Sequence, residues 1–388
     1  MWRNIVSNFL TLAIVIMIAL AGLVAWAKRQ YVEPGPLAQA MCLRVAPGAN
    51  IRGVSGDLES GGAIRSAYIF RTGAQYQDKA GQLKFGSYLI EPHSTMEGIV
   101  DQITAGGPST CGTELVFRIG VSGNEVLLRE LDPATGDYKQ IAEYNPESEK
   151  PPEGFESKAE AADVRTRVTV VDGVTSWQIV QGLREAPFLD GTIGDVPAEG
   201  SLAPDSYEVK RGADRQALLD MMEARQAKIL ADAWAGRADG LPYANPEQAL
   251  TMASIVEKET GVPSERAQVA SVFVNRLEKG MKLQTDPTVI YGVTGGKGML
   301  GRGLRQSELR KATPYNTYVI DGLPPGPIAN PGRAAIEAAL HPDSTKYLFF
   351  VADGSGGHAF ATTIAEHNKN VAAWRAIEKK AKESGSAN

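Results

Sequence analysis

The chain has 388 residues, of which 43% are hydrophobic and 22% charged, as in globular proteins large enough for two domains. Its formal net charge of −5 argues against a nucleic-acid-binding protein, which normally carries a basic face. The two cysteines and four histidines show none of the short spacings of a metal site. We therefore expect no metal, no cofactor and no nucleic-acid partner.

The first residues are predicted to cross a membrane. Residues 4–27 contain no charged side chain, and about 20 apolar residues span a bilayer core. A cleaved signal peptide is the alternative, because the segment ends in Ala-Trp-Ala, the form of a cleavage site. Basic residues flank the segment on both sides, so charge does not fix its orientation. The prediction is a transmembrane anchor over residues 1–27 and a linker over residues 28–39.

Both cysteines, Cys42 and Cys111, follow the apolar segment. In an oxidising compartment they can form one disulfide. By closing a long loop, this bond would stabilise the folded protein by about 4 kcal/mol in the chain-entropy model. Two buried thiols are the alternative, and the residues themselves do not decide between the two.

Beyond the linker, composition divides the chain. Residues 40–107 form short strand, turn and helix units, as in LRVAPGANIRGVSGDL and LKFGSYLIEPHSTMEGIVDQI, with a helix over AIRSAYIFRTGA between them. Residues 108–165 indicate a β-rich insertion followed by a charged, proline-containing linker. Residues 166–375 mix helices with short strands and begin with another strand, Asp-Gly turn and helix. The predicted class is α+β, and residues 376–388 are predicted to be a frayed polar tail.

One helix of the last region ends in two carboxylates that flank a lysine, in ASIVEKETG. Asn245 is a suitable N-cap and Pro246 suits the first helical position. Gly261 is a suitable residue just after the helix, and Pro263 prevents its continuation. These signals predict a helix over Pro246–Thr260, followed by a second helix over residues 265–279.

The two carboxylates of this helix lie on different faces. Glu259 follows an apolar stripe formed by Met252, Ile255 and Val256, whereas Glu257 follows a weaker stripe formed by Leu250, Ala253 and Ser254. Burial and the negative end of the helix dipole both raise the pKa of Glu259. A carboxyl group protonated near neutral pH can act as a general acid. The alternative is that both glutamates belong to a solvated helix end.

Polar and aromatic residues in the loops after these helices suit a sugar-binding groove, in which flat rings stack on sugars and amides bond hydroxyls. The candidates are Gln284, Asp286, Tyr291, Asn316 and Tyr318. Each also has a structural alternative, such as forming a turn or packing in the core.

Several long motifs resemble those of the MltG family of endolytic murein transglycosylases, also called YceG-like. They are MASIVEKETGVPSERAQVASVFVNRLEKGMKLQTDPTVIYG, WAGRADGLPY, TPYNTYVIDGLPPGPIANPG and FVADGSGGHAFATTIAEHN. The resemblance is close over residues 199–371, although EGSLAPDSY has Ser where the family usually has Thr. Residues 40–107 are similar to the LysM-like region of the family, and residues 108–165 do not match it.

The resemblance implies an N-terminal membrane helix, a LysM-like α/β subdomain and an α+β lytic transglycosylase catalytic domain. The family's catalytic glutamate falls on Glu259. The implied activity is that of a lyase which cleaves peptidoglycan between N-acetylmuramic acid and N-acetylglucosamine, leaves 1,6-anhydro ends and terminates strand elongation. The implied location is the inner membrane with a periplasmic catalytic portion, and the implied partners are peptidoglycan synthases of the penicillin-binding protein class.

Two other classes of function compete with this interpretation. Residues 296–301 spell G-x-G-x-x-G, but a following helix would be cut short by Pro314, and an exported domain meets little NAD. A dinucleotide enzyme is therefore disfavoured. A peptidoglycan-binding scaffold without catalysis is the second alternative, and release of anhydro products distinguishes it from an enzyme.

Overall fold

The computed structural model describes residues 2–383, and the chain divides into two compact units. Unit 1 holds the residues up to Val116 together with Val126–Thr166. Unit 2 holds Phe117–Glu125 and the residues from Arg167 onward. Helices and short strands are mixed in both units, which confirms the predicted α+β class.

Unit 1 begins with a long helix and continues with small strands and helices. In chain order they are α1 (Trp2–Val32), β1 (Met41–Val45), α2 (Ile51–Ser60), α3 (Ala67–Tyr76), β2 (Gly86–Ile90) and α4 (Met96–Ala105). Strands β1 and β2 pair antiparallel, with Leu43 opposite Tyr88. The strands and helices predicted from the sequence motifs of this region are confirmed.

Side-chain caps define where the short helices of unit 1 begin. Asn50, Ser66 and Thr95 accept hydrogen bonds from backbone N–H groups in the first turns of α2, α3 and α4. Such a cap contributes about 1 kcal/mol to helix stability. The three helices and two strands bury a common apolar core that includes Leu58, Phe70, Ile90 and Ile99.

Helix α1 contains an apolar stretch, Ser7–Val32, that is long and apolar enough to cross a membrane. The helix runs on into the predicted linker, and Tyr31 and Leu37 are each only 7% exposed in the core of unit 1. Gly73 of α3 leaves room for the Tyr31 ring, because a β-carbon there would overlap it. Residues 28–39 are therefore a packed part of unit 1, because burial of their two large apolar side chains fixes their path.

The two cysteines of unit 1 are joined. The Cα atoms of Cys42 and Cys111 lie 5.7 Å apart and their sulfur atoms form a disulfide. Asp163 fastens the same region by accepting hydrogen bonds from Arg44 at 2.9 Å and from the Ser87 hydroxyl at 2.7 Å. Of the two alternatives left open by the sequence, the structure has the disulfide.

Residues 108–165 hold three strands and a short helix, namely β3 (Thr113–Ile119), β4 (Asn124–Leu131), β5 (Tyr138–Tyr144) and α5 (Phe155–Ala159). Strands β4 and β5 pair antiparallel, with Leu131 opposite Tyr138. The predicted charged linker thus contains α5, which is held by the burial of Phe155 and Ala159.

Residues 165–383 form the remaining strands and helices of the chain. They are β6 (Arg165–Val170), α6 (Ser176–Glu185), β7 (Leu189–Asp190), β8 (Ser206–Val209), β9 (Ala213–Asp214), α7 (Arg215–Ala235), α8 (Pro246–Glu259), a 3-10 turn (Pro263–Glu265), α9 (Arg266–Glu278), α10 (Asp286–Thr294), α11 (Gln306–Arg310), α12 (Arg333–Leu340), β10 (Phe349–Ala352), β11 (His358–Ala361) and α13 (Ile364–Glu383). A five-stranded sheet has the order β5-β4-β3-β6-β8. Strands β10 and β11 form an antiparallel pair, and β7 pairs with β9 in parallel.

Helix α8 lies in the core of unit 2. Every residue from 249 to 256 is buried, and the helix packs against α7, α9, α10 and α12. The end of the helix is consequently held from several sides, which suits a residue that must keep one position.

Helix α13 covers part of the predicted polar tail. Residues 376–383 belong to this helix, and residues 384–388 of the predicted tail lie outside the described residues.

Candidate active site

Helix α8 begins as its sequence predicts and ends slightly differently. The Asn245 side chain accepts from the Gln248 N–H at 2.9 Å, and the Gln248 side chain accepts from the Ala244 N–H at 2.8 Å. The helix ends at Glu259, because Thr260 is extended (φ −142°) and buried. The helix was predicted to end at about Thr260, and it ends one residue earlier, with Thr260 as its C-cap and Gly261 directly after it. The Thr260 hydroxyl accepts from the Val262 N–H instead, which turns the chain into the 3-10 helix.

Glu259, the last residue of α8, is partly buried, and within the described part of the chain its carboxyl has one hydrogen-bond partner. The Thr285 hydroxyl donates a hydrogen bond to Glu259 Oε1. Burial raises the pKa of the Glu259 carboxyl, and the nearby Asp286 carboxylate adds to this, while Thr285, His358 and Arg276 partly oppose it. The predicted direction of the pKa shift is thus the one that the structure gives.

Glu257 lies in a different place and is not solvated. Its side chain is 6% exposed, and its Oε2 accepts from the Gly332 N–H at 3.0 Å, at the amino terminus of α12. Arg266 lies 3.9 Å from its other oxygen, and burial together with Asp172 raises its pKa. The weaker stripe beneath Glu257 is as buried as the other, so the apolar stripes do not separate the two glutamates. Their hydrogen-bond partners do.

Lys258, between the two glutamates, points to a third place. Its ammonium group donates to the Gly173 carbonyl at 3.2 Å, and burial lowers its pKa. Glu257 and Lys258 therefore each bind a neighbouring loop, and Glu259 is the residue of the three that belongs to the candidate site.

Three of the predicted groove residues lie close to one another beside Thr285. Tyr318 donates its hydroxyl to Asp286 Oδ1 at 2.7 Å, and Asp286 is exposed at the start of α10. Gln284 is exposed and has a left-handed backbone (φ 51°), and its N–H donates to the Thr317 carbonyl at 3.1 Å. Such a conformation in a residue other than glycine costs on the order of 1–3 kcal/mol and is frequent at functional sites.

The other two predicted groove residues serve other contacts. Asn316 is fully buried, and its amide donates to the backbone carbonyls of Glu308, Leu309 and Lys311. It therefore fixes the end of α11.

Tyr291, the second of these residues, packs on Tyr315 with ring centroids 4.8 Å apart and is hydrogen-bonded to the half-buried Glu199. Asn316 and Tyr291 hold the surrounding loops, and neither contacts Glu259.

Arg276 was not predicted and shapes the loop beside Glu259. It is 8% exposed on α9, and it donates to the carbonyls of Leu283 and Leu348 at 2.7 Å each. Its positive charge lowers the pKa of Glu259. The available signal was a single arginine next to the apolar run of α9, where an unpartnered charge is costly.

A pair formed by His358 and Glu265 was also not predicted from the sequence. His358 Nδ1 lies 2.8 Å from Glu265 Oε2, and Glu265 Oε1 accepts from the His358 N–H at 3.0 Å. Both side chains are less than one-fifth exposed, and His358 lowers the pKa of Glu259. Their separation of 93 residues left no sequence signal for the pair.

The chain matches a known family over most of its length. The model of the YceG-like family matches residues 43–373. An endolytic murein transglycosylase of Bacillus subtilis (strain 168) is 30% identical over 331 residues, which cover 84% of this chain and 82% of that protein. An endolytic murein transglycosylase of Streptococcus pneumoniae (strain D39) is 26% identical over 337 residues, which cover 84% of this chain but 57% of the longer relative.

Among solved structures, a YceG-like protein from Listeria monocytogenes is 25% identical, with a TM-score of 0.43 over 85% of this chain and 99% of that one. The match of the family model over residues 43–373 and the Bacillus relative decide the assignment. This chain belongs to the YceG-like family.

Proposed function

We propose that this protein is an endolytic peptidoglycan transglycosylase whose catalytic residue is Glu259. The observation that carries the proposal is the Glu259 carboxyl, which is partly buried, has a raised pKa and is held by Thr285 at the end of a core helix. A carboxyl group of this kind can donate a proton near neutral pH. Relatives named endolytic murein transglycosylases supply the substrate class and the reaction class.

In the first step Glu259 acts as a general acid. Its proton moves to the glycosidic oxygen between N-acetylmuramic acid and N-acetylglucosamine. The bond from that oxygen to the anomeric carbon breaks, its electron pair stays on the departing oxygen, and an oxocarbenium-like centre forms on the muramyl ring. A raised pKa favours this step because it keeps the proton on Glu259 until the substrate needs it.

In the second step the same carboxylate acts as a general base. It accepts the proton of the muramyl 6-hydroxyl, whose oxygen attacks the anomeric carbon of its own ring and closes the 1,6-anhydro bond. The nucleophile is part of the substrate, so no bound water and no second base are required. Glu257 is unsuited to the role of second base, because Gly332 and Arg266 already engage its carboxylate.

Asp286 favours a second candidate reaction, hydrolysis. Its carboxylate is exposed near Glu259 and could activate a water on the opposite face of the sugar, as the second carboxylate of an inverting glycosidase does. Its hydrogen bond from Tyr318 favours a positioning role instead, in which Gln284, Asp286 and Tyr318 contact the glycan. Tyr291 and Asn316 then act by holding the loops that carry these residues.

The test uses two glutamine variants of one helix. Glu259→Gln retains the shape of the side chain but cannot exchange a proton, so we expect a loss of cleavage of roughly 10²–10⁴-fold or more. Glu257→Gln is the matched control and should retain cleavage, because the Glu257 carboxylate is engaged by Gly332 and Arg266 and takes no part in the proposed steps. The measurement is mass spectrometry of the glycan ends released from purified sacculi by the full chain in detergent.

The products separate the candidate functions. Anhydro ends that disappear in Glu259→Gln support the transglycosylase, and reducing ends that disappear in Asp286→Asn support the hydrolase. Binding to sacculi without any released product would support the non-catalytic scaffold. An active Glu259→Gln variant beside an inactive Glu257→Gln variant would contradict the assignment of Glu259.

The location and partners belong to the same proposal. The apolar stretch of α1 supports a single-pass anchor in the inner membrane with the catalytic portion in the periplasm, and the disulfide supports an oxidising compartment. The strand, two helices and strand from β1 to β2 support a LysM-like subdomain that binds glycan. An anchored enzyme of this kind is placed to cut strands as peptidoglycan synthases extend them, and so to terminate elongation.

A further inference from the structure

Among residues 2–383, only Thr285 makes a hydrogen bond to the proposed catalytic carboxyl, and it does so from a fixed position. It is 2% exposed, and its backbone is bound on both sides. Its N–H donates to Thr317 Oγ1 at 3.0 Å, and its carbonyl accepts from Thr288 Oγ1 at 2.8 Å. The preceding loop is held by Arg276, which donates to Leu283 O at 2.7 Å. Glu259 therefore meets a preorganised donor.

The hydrogens of this threonine cluster, Thr285, Thr288 and Thr317, can be assigned one by one. The Thr288 hydroxyl donates to the Thr285 carbonyl. Thr317 Oγ1 receives the Thr285 N–H and can donate to Thr288 Oγ1 at 2.9 Å or to the Thr285 carbonyl at 3.3 Å. The hydroxyl hydrogen of Thr285 is thus needed nowhere else in the cluster and goes to Glu259 Oε1.

This assignment decides which oxygen of Glu259 carries the proton. If the proton were on Oε1, it would have to be donated to Thr285, whose own hydrogen would then lack an acceptor among residues 2–383. An unpaired buried donor is unfavourable. The proton is favoured on Oε2, for which the described part of the chain offers no hydrogen-bond donor.

We propose that Thr285 is the positioning residue of the reaction, which confines the exchangeable proton to Glu259 Oε2 and aims that oxygen at the glycosidic bond. The inference rests on the proposed role of Glu259. Thr285 itself exchanges no proton with the substrate in either step. A second consequence concerns the anion, because the Thr285 hydrogen bond stabilises the carboxylate that the first step leaves behind.

The test compares Thr285→Val, which retains the shape but removes the hydroxyl, with Thr285→Ser, which retains the hydroxyl. In Thr285→Val we expect kcat to fall roughly ten- to a hundredfold, the range of a hydrogen bond to a charged group, with KM little changed. Thr285→Ser should restore most of kcat. Thr251→Val removes another buried threonine hydroxyl, one bonded within α8, and should leave kcat unchanged.

A second readout does not depend on turnover. Loss of the Thr285 hydrogen bond removes a contribution that lowers the pKa of Glu259, so its titration should move to higher pH in Thr285→Val and return in Thr285→Ser. Difference infrared spectroscopy of the full chain in detergent measures this, with Glu259→Gln identifying the band. An unmoved titration, or equal loss of kcat in the Val and Ser variants, would overturn the proposal.

Two further outcomes remain distinguishable. If Thr285→Val fails to fold, Thr285→Ala carries the same comparison, because it removes the hydroxyl without placing a methyl group against the polar cluster. If wild-type protein releases no glycan at all, the proposed function fails, whereas the titration of Glu259 still decides whether Thr285 binds its carboxylate.

Discussion

At the scale of single residues, the site retains a carboxyl group where ionisation is unfavourable. Burial raises the pKa of Glu259 above the ordinary value of 4.5, so the folded state binds this proton more tightly than the unfolded state does. Stability is therefore lost as the pH rises from the unfolded pKa through the folded pKa. The catalytic property and the cost to stability have the same physical origin.

This predicts that Glu259→Gln stabilises the protein in a pH-dependent way. Near pH 4.5 the variant and wild type should melt at similar temperatures, and the variant should gain as the pH rises toward neutrality. The other acids with a raised pKa, Glu199, Glu257 and Asp172, are common to both proteins and cancel in the difference. Thermal unfolding of the full chain in detergent across this range is the measurement.

Glu308→Gln is the control with the opposite sign. The Arg302 guanidinium and the Arg305 N–H lower the pKa of Glu308 to about 2, so its contribution to stability is present above the unfolded pKa and is lost as the pH falls through the folded one. Its replacement should destabilise at neutral pH and have less effect in acid. If the melting temperatures of wild type and Glu259→Gln changed with pH in parallel, the raised pKa of Glu259 would be contradicted.

At the scale of helices and strands, the sequence predicted those features that depend on neighbouring residues, such as helix caps and turns. The N-cap Asn245 and the proline after it located the start of α8, and the strand, turn and helix units of unit 1 were recovered from their turns and apolar periodicity. The end of α8 was missed by one residue. There the burial of Thr260 outweighs the tendency of Gly261 to end a helix.

The surroundings of Glu259 were less predictable because they are assembled from distant segments. Thr285 lies 26 residues beyond Glu259, and the cluster that holds it includes Thr317, 32 residues further on. Nothing in the sequence near either threonine indicates the other. Asn316 was predicted to be a groove residue, but its amide is used locally, because it bonds three backbone carbonyls within residues 308–311.

The disulfide gives a prediction for unit 1. It joins cysteines 69 residues apart, so its removal should destabilise the unit by about 4 kcal/mol in the chain-entropy model. We expect the melting temperature of unit 1 to fall in reductant, and the double variant Cys42→Ser with Cys111→Ser to melt low whether or not reductant is present. Peptide mapping without reduction checks the bond directly, and free thiols in oxidised protein would contradict it.

At the scale of the whole chain, α1 is continuous with the fold of unit 1. The helix continues to Val32 without a break. Near its end Tyr31 is buried against α3, and its hydroxyl donates to Gln77 at 3.3 Å. Gly35 continues the attachment with a backbone hydrogen bond to His93 O at 3.2 Å. Unit 1 is thus joined to the apolar helix without a free linker.

The last prediction concerns this helix and decides between an anchor and a cleaved signal. An anchor should leave the protein in the membrane pellet after high-salt and carbonate washes, with an N-terminal tag still attached. The double variant Ala25→Leu with Ala27→Leu destroys the cleavage form while retaining apolar character. It should match wild type in size and location if α1 is an anchor. A wild-type protein that starts at Lys28 in the soluble fraction, and a variant that becomes larger and membrane-bound, would establish a signal peptide.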